Sequence, residues 1–452
     1  MRNRTPRSGG RAIRRAFAGL IGLALLGGCG KLAPYQMPFI GLPDRFAEGG
    51  APVLARNDAW WTRLGDPALD GLVRIAFTES LTLAQARARL EEAQAVARGV
   101  YGGPDFTGSV EGRTGSRISD SLVTRFDLDW LFPTPEATKR AAQGRVEAAE
   151  AQVDAARLAV LSELAGGTVD LRYAQARLAL RETDLRNRNR TLALTRELVA
   201  ASEGTRLDVT RAQARIAAQE SQLPALRAEI DGLRNELAVL AGRLPGQVPL
   251  SPAVAPIPSV DLRPDVGIPA DLLRNRPDIR AAEREYYVAV ARISEAEQAR
   301  YPRLSLSGTV SIDMLSQASV AQTLFSPTLT LPSLPGTSAT AEIDARRAAA
   351  RQALLAWKST VLTAVLQVEN ALLTYRAAHT ATQAAARSVR LYEAALSQTR
   401  ELFAIGEVTL GDVIDAETEL SQSRLQLADA RYRQALGFVD LNVQIGAGAQ
   451  AG

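Results

Sequence analysis

Between Pro135 and Pro224 the chain runs without a proline, and no proline occurs after Pro335. A proline inside a helix removes a backbone hydrogen bond and clashes with the preceding turn, so these spans are where very long helices can persist. A continuous helix from Glu136 to about Ala200 is about 95 Å long at ~1.5 Å per residue, far beyond an ordinary globular helix. Helices of that length need lateral partners. Heptad spacing announces them, since Val146, Ala149, Val153, Ala156 and Val160 step by three and four, as do Leu223, Leu226, Ile230, Leu233, Leu237 and Leu240. The same seam returns in Val361, Val365, Val368, Leu372 and Tyr375, with His379 at the next position. Many flanking sites are alanine, which lets helices approach closely and pack on two sides.

The second constraint is a duplication at a spacing of about 200 residues. Ser80 to Pro104 parallels Asp278 to Pro302, each an Ala-rich helix pattern stopped by an aromatic residue and a proline. Strand-like pieces follow both, and each strand pair leads into a long helical stretch. SEGTRLDVTRAQ, Ser202 to Gln213, aligns without gaps on GEVTLGDVIDAE, Gly406 to Glu417. Each copy therefore reads as a strand pair followed by a long helical hairpin.

The strand pieces are Asp105 to Gly115, Leu122 to Phe132, Arg303 to Met314 and Leu324 to Pro332. Their alternating character and length match what a tilted strand needs to cross a bilayer. Four strands cannot close a barrel, and an open sheet edge cannot face lipid. Closure has to come from several chains, and three copies supply 12 strands, an even count. Trp130, Phe126, Phe132, Phe106 and Phe325 are candidates for an interfacial aromatic girdle, or for the core of an ordinary sheet. No run of about 18 apolar residues follows the N-terminal segment, so a transmembrane helix is not expected there.

The first 28 residues pair a basic stretch holding six arginines with the apolar run AFAGLIGLALLGG, as an export signal does. The run ends at Leu26-Gly27-Gly28-Cys29, and Cys29 is the only cysteine in the chain. A disulfide within the chain is thereby excluded. Removing the six arginines takes the formal charge from +4 to −2, so the high isoelectric point is no argument for nucleic-acid binding.

These features together resemble the TolC-like outer membrane factors, in the NodT-type lipoprotein branch that serves efflux pumps. The residues carrying the resemblance are the lipobox before Cys29, WWTRLGDPALDGLV at Trp60 to Val73, LLRNRPDIRAAE at Leu272 to Glu283, and ARYPRLSLSG at Ala299 to Gly308. The Pro224 site and GEVTLGDVIDAE add to them. The resemblance implies a mainly α fold with a small β part. It implies a homotrimer whose duplicated hairpins form a 12-helix tunnel below a 12-stranded barrel in the Gram-negative outer membrane. It also implies a covalent lipid on Cys29 and no other cofactor, with Gly30 after the cysteine consistent with outer-membrane sorting.

The chain then divides into a signal peptide (1–28), an N-terminal extended, equatorial segment (29–70), a first repeat (71–243), a Pro-rich equatorial linker (244–270), a second repeat (271–446) and a flexible tail (447–452). Within the repeats the hairpins are expected at about 136–243 and about 338–445. Expected partners are a periplasmic adaptor and an inner-membrane pump of the resistance-nodulation-division type, exporting drugs or other small toxic compounds. Export of a protein, peptide or metal ion is the alternative, with a periplasmic adaptor lipoprotein as a further one. That last would carry a single hairpin flanked by compact β domains.

By resemblance the periplasmic gate lies at the hairpin ends. Asp412 and Asp415 share one helix side at i, i+3, and Asp415 corresponds more closely to the family's gate position. Asp412 equally suits a helix start, where backbone N–H groups stabilise a carboxylate. Asp208 is its counterpart in the first copy, and Arg211 stands where the second copy has Asp415, a candidate ion pair between helices. Leu402 and Phe403 replace the arginine and tyrosine often found before the second end. Ser202, Gly204, Thr205 and Leu207, with Gly406, Glu407, Thr409 and Gly411, are the candidate adaptor-docking ends. His379 lacks partners at ligand spacing and reads as a packed or solvated helix residue. No metal site is expected, and no phosphate loop, zinc-hydrolase pair or nucleophile elbow occurs, so an enzyme is not expected.

Overall fold

The computed structural model describes residues 34–47, 59–101, 105–113, 121–132, 136–248, 250, 255–259, 269–298, 300, 303–313, 321–330 and 337–449. Cys29, Gly30 and the signal region lie outside them. After a short 3-10 turn at Trp60–Leu64 come α1 (Pro67–Glu79) and α2 (Leu81–Tyr101), then β1 (Asp105–Arg113) and β2 (Ser121–Phe132). The first long helix, α3, spans Glu136–Ala200, and α4 (Arg206–Glu220) and α5 (Leu223–Leu240) return from it. A short α6 (Leu272–Asn275) and α7 (Pro277–Gln298) precede β3 (Arg303–Asp313) and β4 (Ala321–Thr330). The second long helix, α8, spans Thr337–Ala404, and α9 (Leu410–Gln444) returns from it. None of the described helices is long and apolar enough to cross a membrane.

The chain divides into two compact units. The first takes the chain up to Phe39, Arg89–Glu150 and Ala281–Lys358, and it contains the sheet. The four strands lie in the order β1-β2-β3-β4, all antiparallel, with Asp105 opposite Asp129, Val123 opposite Asp313 and Arg303 opposite Thr330. The central β2–β3 ladder joins the two repeats, so neither strand pair stands alone. β4 starts and ends earlier than its alternation suggests, and it includes Pro327, opposite Leu306. Proline cannot donate to a ladder and is tolerated on an edge strand, which β4 is. Helices α3 and α7 meet tightly in this unit, where Ala141 packs with Val288 and Ala291. A Cβ at Gly144 would come within 2.7 Å of the Val288 side chain and 2.8 Å of the Tyr287 ring, so only glycine allows that approach. Beside it Arg284 pairs with Glu147 at 2.8 Å, and the Tyr35 hydroxyl donates to Glu283 at 2.8 Å.

The second unit holds Ile40–Ala88, Ala151–Arg280 and Ser359–Gly452. Its core is built on the heptad seams: Val361, Val368, Leu372 and Tyr375 are buried on α8, and Leu223, Leu226, Ile230 and Leu237 on α5. On α3 the buried positions exceed one seam. Val160, Leu161, Leu164, Ala165, Val169 and Leu171 form a wide apolar face, as packing on two sides requires. The His379 ring nitrogens lie 2.9 Å from the Gln383 side chain and 3.1 Å from that of Gln434, on the packed side of the two readings its position allows.

The segment read as extended before residue 70 is partly helical. Trp60 is fully buried, lies edge-on to Phe438 and donates its indole N–H to the Ala447 carbonyl at 3.0 Å. Ala447 and Ala449 are accordingly buried, so the start of the expected flexible tail is packed structure. The two return arms also differ. α9 runs unbroken, whereas the first arm breaks between α4 and α5 at Ser221 and Gln222, because Pro224 lacks the N–H that would continue the ladder and fits only a first turn.

Asp66 caps α1 by accepting from the Ala68 amide and forms a two-bond pair with Arg172 of α3, at 2.6 and 3.0 Å, both side chains 7% exposed. Burial alone would raise the Asp66 pKa, but the Arg172 hydrogen bonds and charge outweigh it and hold the carboxyl below its ordinary value. Stability from this pair is therefore complete above the ordinary Asp value of about 4 and is lost as pH falls through the lower folded value. Removing one partner leaves the other charge buried. Asp66→Ala is expected to destabilise the second unit by roughly 3 kcal/mol in denaturant melts, and an Asp66→Ala Arg172→Met double variant to recover part of that loss.

Candidate functional site

The two ends of the helical hairpins lie in the second unit and are built alike, residue for residue, 204 positions apart. α3 closes with the Glu203 amide donating to the Leu198 carbonyl at 2.8 Å and the Ser202 amide to Val199 at 3.1 Å. α8 closes with Glu407 donating to Leu402 and Gly406 to Phe403, both at 3.0 Å. These are the paired bonds of a Schellman ending, which needs a left-handed residue at its corner. Gly406 takes it at φ 78°, whereas Ser202 takes it at φ 65° without glycine's freedom.

The next helix starts with a reciprocal capping box at both ends. At the first, the Thr205 amide and hydroxyl donate to Asp208 Oδ2 at 3.1 and 2.6 Å, and the Asp208 amide returns to Thr205 Oγ1 at 3.3 Å. At the second, the Thr409 amide and hydroxyl donate to Asp412 Oδ2 at 2.7 and 2.6 Å, and the Asp412 amide returns at 3.3 Å. The Thr205 and Thr409 side-chain hydrogen bonds, reinforced by their backbone amides, hold both carboxyls below the ordinary Asp range. In this structure the Asp412 carboxylate starts a helix, the second of the two roles its position allows.

Asp415 lies three residues on and is exposed. The structure does not bring Arg211 to it; the charge of Arg211 falls instead on Asp208, its neighbour one turn back on α4. Of the docking candidates, Ser202, Thr205, Leu207, Gly406, Glu407, Thr409 and Gly411 are exposed, while Gly204 is half-buried against Val199. Apolar side chains stand out at both ends, with Leu207 55% and Ile405 69% exposed. Among the described residues no group of three or more His, Cys, Asp or Glu could hold a metal ion.

One group at this end had no signature in the sequence. Glu417 of α9 accepts from Arg400 of α8 at 2.7 Å and from the Thr191 hydroxyl of α3 at 3.1 Å, so a single carboxylate touches three helices. The partners lie 17 and 226 residues away, beyond any helical spacing that could have flagged them.

The capping boxes generate a paired expectation. Thr409→Val and Thr205→Val should each speed hydrogen exchange of the following helix's first-turn amides roughly fivefold, leaving the distant coil unchanged. Since both Asp groups are depressed, wild-type protection of both first turns should hold above the ordinary Asp value and fade as pH falls through their lowered values.

Comparison with known proteins agrees with this architecture. The family model described as outer membrane efflux protein matches residues 268–447. Nodulation protein T of Rhizobium leguminosarum bv. trifolii is 33% identical over 447 residues, covering 94% of this chain and 95% of that protein. Cation efflux system protein CusC of Escherichia coli O6:H1 (strain CFT073) is 25% identical, covering 95% of this chain and 98% of CusC. The solved outer-membrane channel OprN superposes with a TM-score of 0.79 at 25% identity, covering 94% of this chain and 100% of OprN. Joined to the duplicated hairpins and the four-stranded sheet, these similarities place the chain in the outer membrane efflux protein family, the channels of the Gram-negative outer membrane.

Proposed function

We propose that the chain is one protomer of a homotrimeric channel in a tripartite efflux system, held at the membrane by a lipid on Cys29. It is a passive, gated conduit with no catalytic step. An inner-membrane pump of the resistance-nodulation-division type supplies the energy, coupled through a periplasmic adaptor that docks at the exposed hairpin ends.

The observation that carries this reading is the sheet. β1 and β4 are its two edges, each with one side unpaired among the described residues. In a bilayer every backbone group needs an internal partner, so β1 of one copy has to pair with β4 of the next, and three copies close a 12-stranded barrel. The helices support the same assembly. Leu362, Leu366 and Leu373 on α8 share one helix side at steps of four and seven, yet remain 59%, 58% and 49% exposed in the single chain. A second seam of this kind is what an adjacent copy would cover.

Three-fold symmetry would turn Asp415 into a ring of three acids, free of the helix-capping role that occupies Asp412, and we assign Asp415 as the gate residue. The default cargo is a small toxic organic compound. Similarity to a protein named as a cation efflux component favours a metal ion as the second reading.

Native mass spectrometry of the detergent-purified protein should give three protomers, each carrying diacyl or triacyl mass on Cys29. A stable unlipidated monomer would remove both the barrel and the anchor. Asp415→Ala should raise closed-state current in planar bilayers and weaken cation preference, whereas current unchanged from wild type would take Asp415 out of the gate.

A further inference from the structure

The far ends of the two return arms, in the second unit, are also built on one plan. α5 closes with the Gly242 amide donating to the Val239 carbonyl and the Arg243 amide to Ala238, both at 2.9 Å. At the corresponding place α9 closes with Gly446 donating to Val443 at 2.9 Å and Ala447 to Asn442 at 3.0 Å. Both glycines take the left-handed corner of a Schellman ending, at φ 85° and 76°. Each also presses on the last carbonyl of a neighbouring helix. A Cβ at Gly242 would overlap the Glu79 carbonyl of α1, and one at Gly446 would come within 2.8 Å of the Asn275 carbonyl oxygen of α6.

These two sockets differ in what covers them. In the second repeat Ile445, Gly446, Ala447, Gly448 and Ala449 are all buried, because Trp60 lies over them, edge-on to Phe438 and donating to the Ala447 carbonyl. In the first repeat Leu81, Val239 and Leu244 gather around the Arg243–Glu79 ion pair and remain 70%, 61% and 68% exposed. Large apolar side chains grouped in this way, beside an ion pair, mark a surface that another chain covers.

The order of the helices says which chain. Gly167 of α3 abuts Leu237 of α5, Asp170 of α3 accepts from Tyr432 of α9, and Gly437 of α9 abuts Tyr375 of α8. Within this unit α5 and α8 are therefore the outer two of the order α5-α3-α9-α8. The exposed leucines of α8 stand at the height of the bare socket. Val239 lies 34 residues beyond Thr205 and Leu373 lies 33 before Gly406, while Leu244 and Leu366 lie 39 and 40 away. Both pairs are thus about 50 to 60 Å from the hairpin ends at ~1.5 Å per residue.

Resting on the channel reading above, we propose that the first socket is a binding site completed by an adjacent copy of the chain. Leu373 of one copy packs on Val239 of the next, and Leu366 on Leu244 and Leu81. They do across copies what Trp60 does for the second socket within its own chain. The end of α9 is finished by its own N-terminal segment, and the end of α5 only by assembly.

The test is photo-cross-linking of the full-length protein in isolated outer membranes, with benzoylphenylalanine at Leu81, at Leu244 or, as the control, at Val443. The first two positions are exposed in the single chain and should give covalent pairs of copies, linked through the tryptic peptide Ser359–Arg376 that holds all three leucines. Val443 should link only within its chain. Val239→Asp should lower the share of trimer surviving mild detergent denaturation roughly tenfold, and Leu373→Lys in the same chain should restore most of it. Residues on opposite outer helices can rescue each other only between copies. Links from Leu81 and Leu244 that are absent, confined to one chain, made to another protein or made outside Ser359–Arg376 overturn the socket, as does a double variant no better than Val239→Asp. A protein whose native mass is that of a monomer overturns the channel reading, and the socket with it.

Discussion

A sheet of four antiparallel strands has two edges, and in this chain those edges are β1 and β4. Everything else about the molecule follows from what those edges need. An edge in water is blunted by charge, proline or a covering segment, but an edge in hydrocarbon has no such remedy. Backbone donors and acceptors there have to be paired with another strand, and the described residues hold none besides these four. The sheet is therefore a fraction of a closed object. The long helices carry the same incompleteness, with one leucine seam buried within the chain and another, through Leu362, Leu366 and Leu373, still exposed.

Duplication makes such a fraction workable. The β2–β3 ladder fuses the two strand pairs into one sheet, and each pair leads into a helix of 65 or 68 residues. The copies have since diverged where packing or function permits. Pro224 breaks the first return arm and leaves the second continuous. The Schellman endings and Thr-Asp capping boxes are retained at both ends, because any tight reversal between long helices has to satisfy the same orphaned amides and carbonyls.

Much of this was legible in the residues. Proline spacing set the starts of α3 and α8 closely, just after Pro135 and Pro335, whereas both helices stop without a proline, at their Schellman endings. Alternation located the strands, although β4 runs from Ala321 to Thr330 and not from Leu324 to Pro332, its first residues, Ala321 to Thr323, being less apolar than the run that follows. Trp60 hid its role, since its partners Phe438 and Ala447 lie at the opposite end of the chain. At the hairpin ends, local spacing revealed the Asp412 and Asp415 pairing but not which carboxylate was occupied by helix capping. Glu417 was invisible for a related reason: its value lies in reaching Arg400 and Thr191, contacts that depend on how two hairpins pack.

The central claim is that the sheet is completed by other copies of the same chain, and the contact it requires joins β1 of one protomer to β4 of another. Cysteine pairs scanned along β1 and β4 and oxidised in isolated outer membranes address that contact directly. The account predicts that some registers yield covalent dimers and trimers on denaturing gels, and nothing larger than a trimer. Cross-linking confined to single chains, or ladders that continue past three protomers, would contradict it.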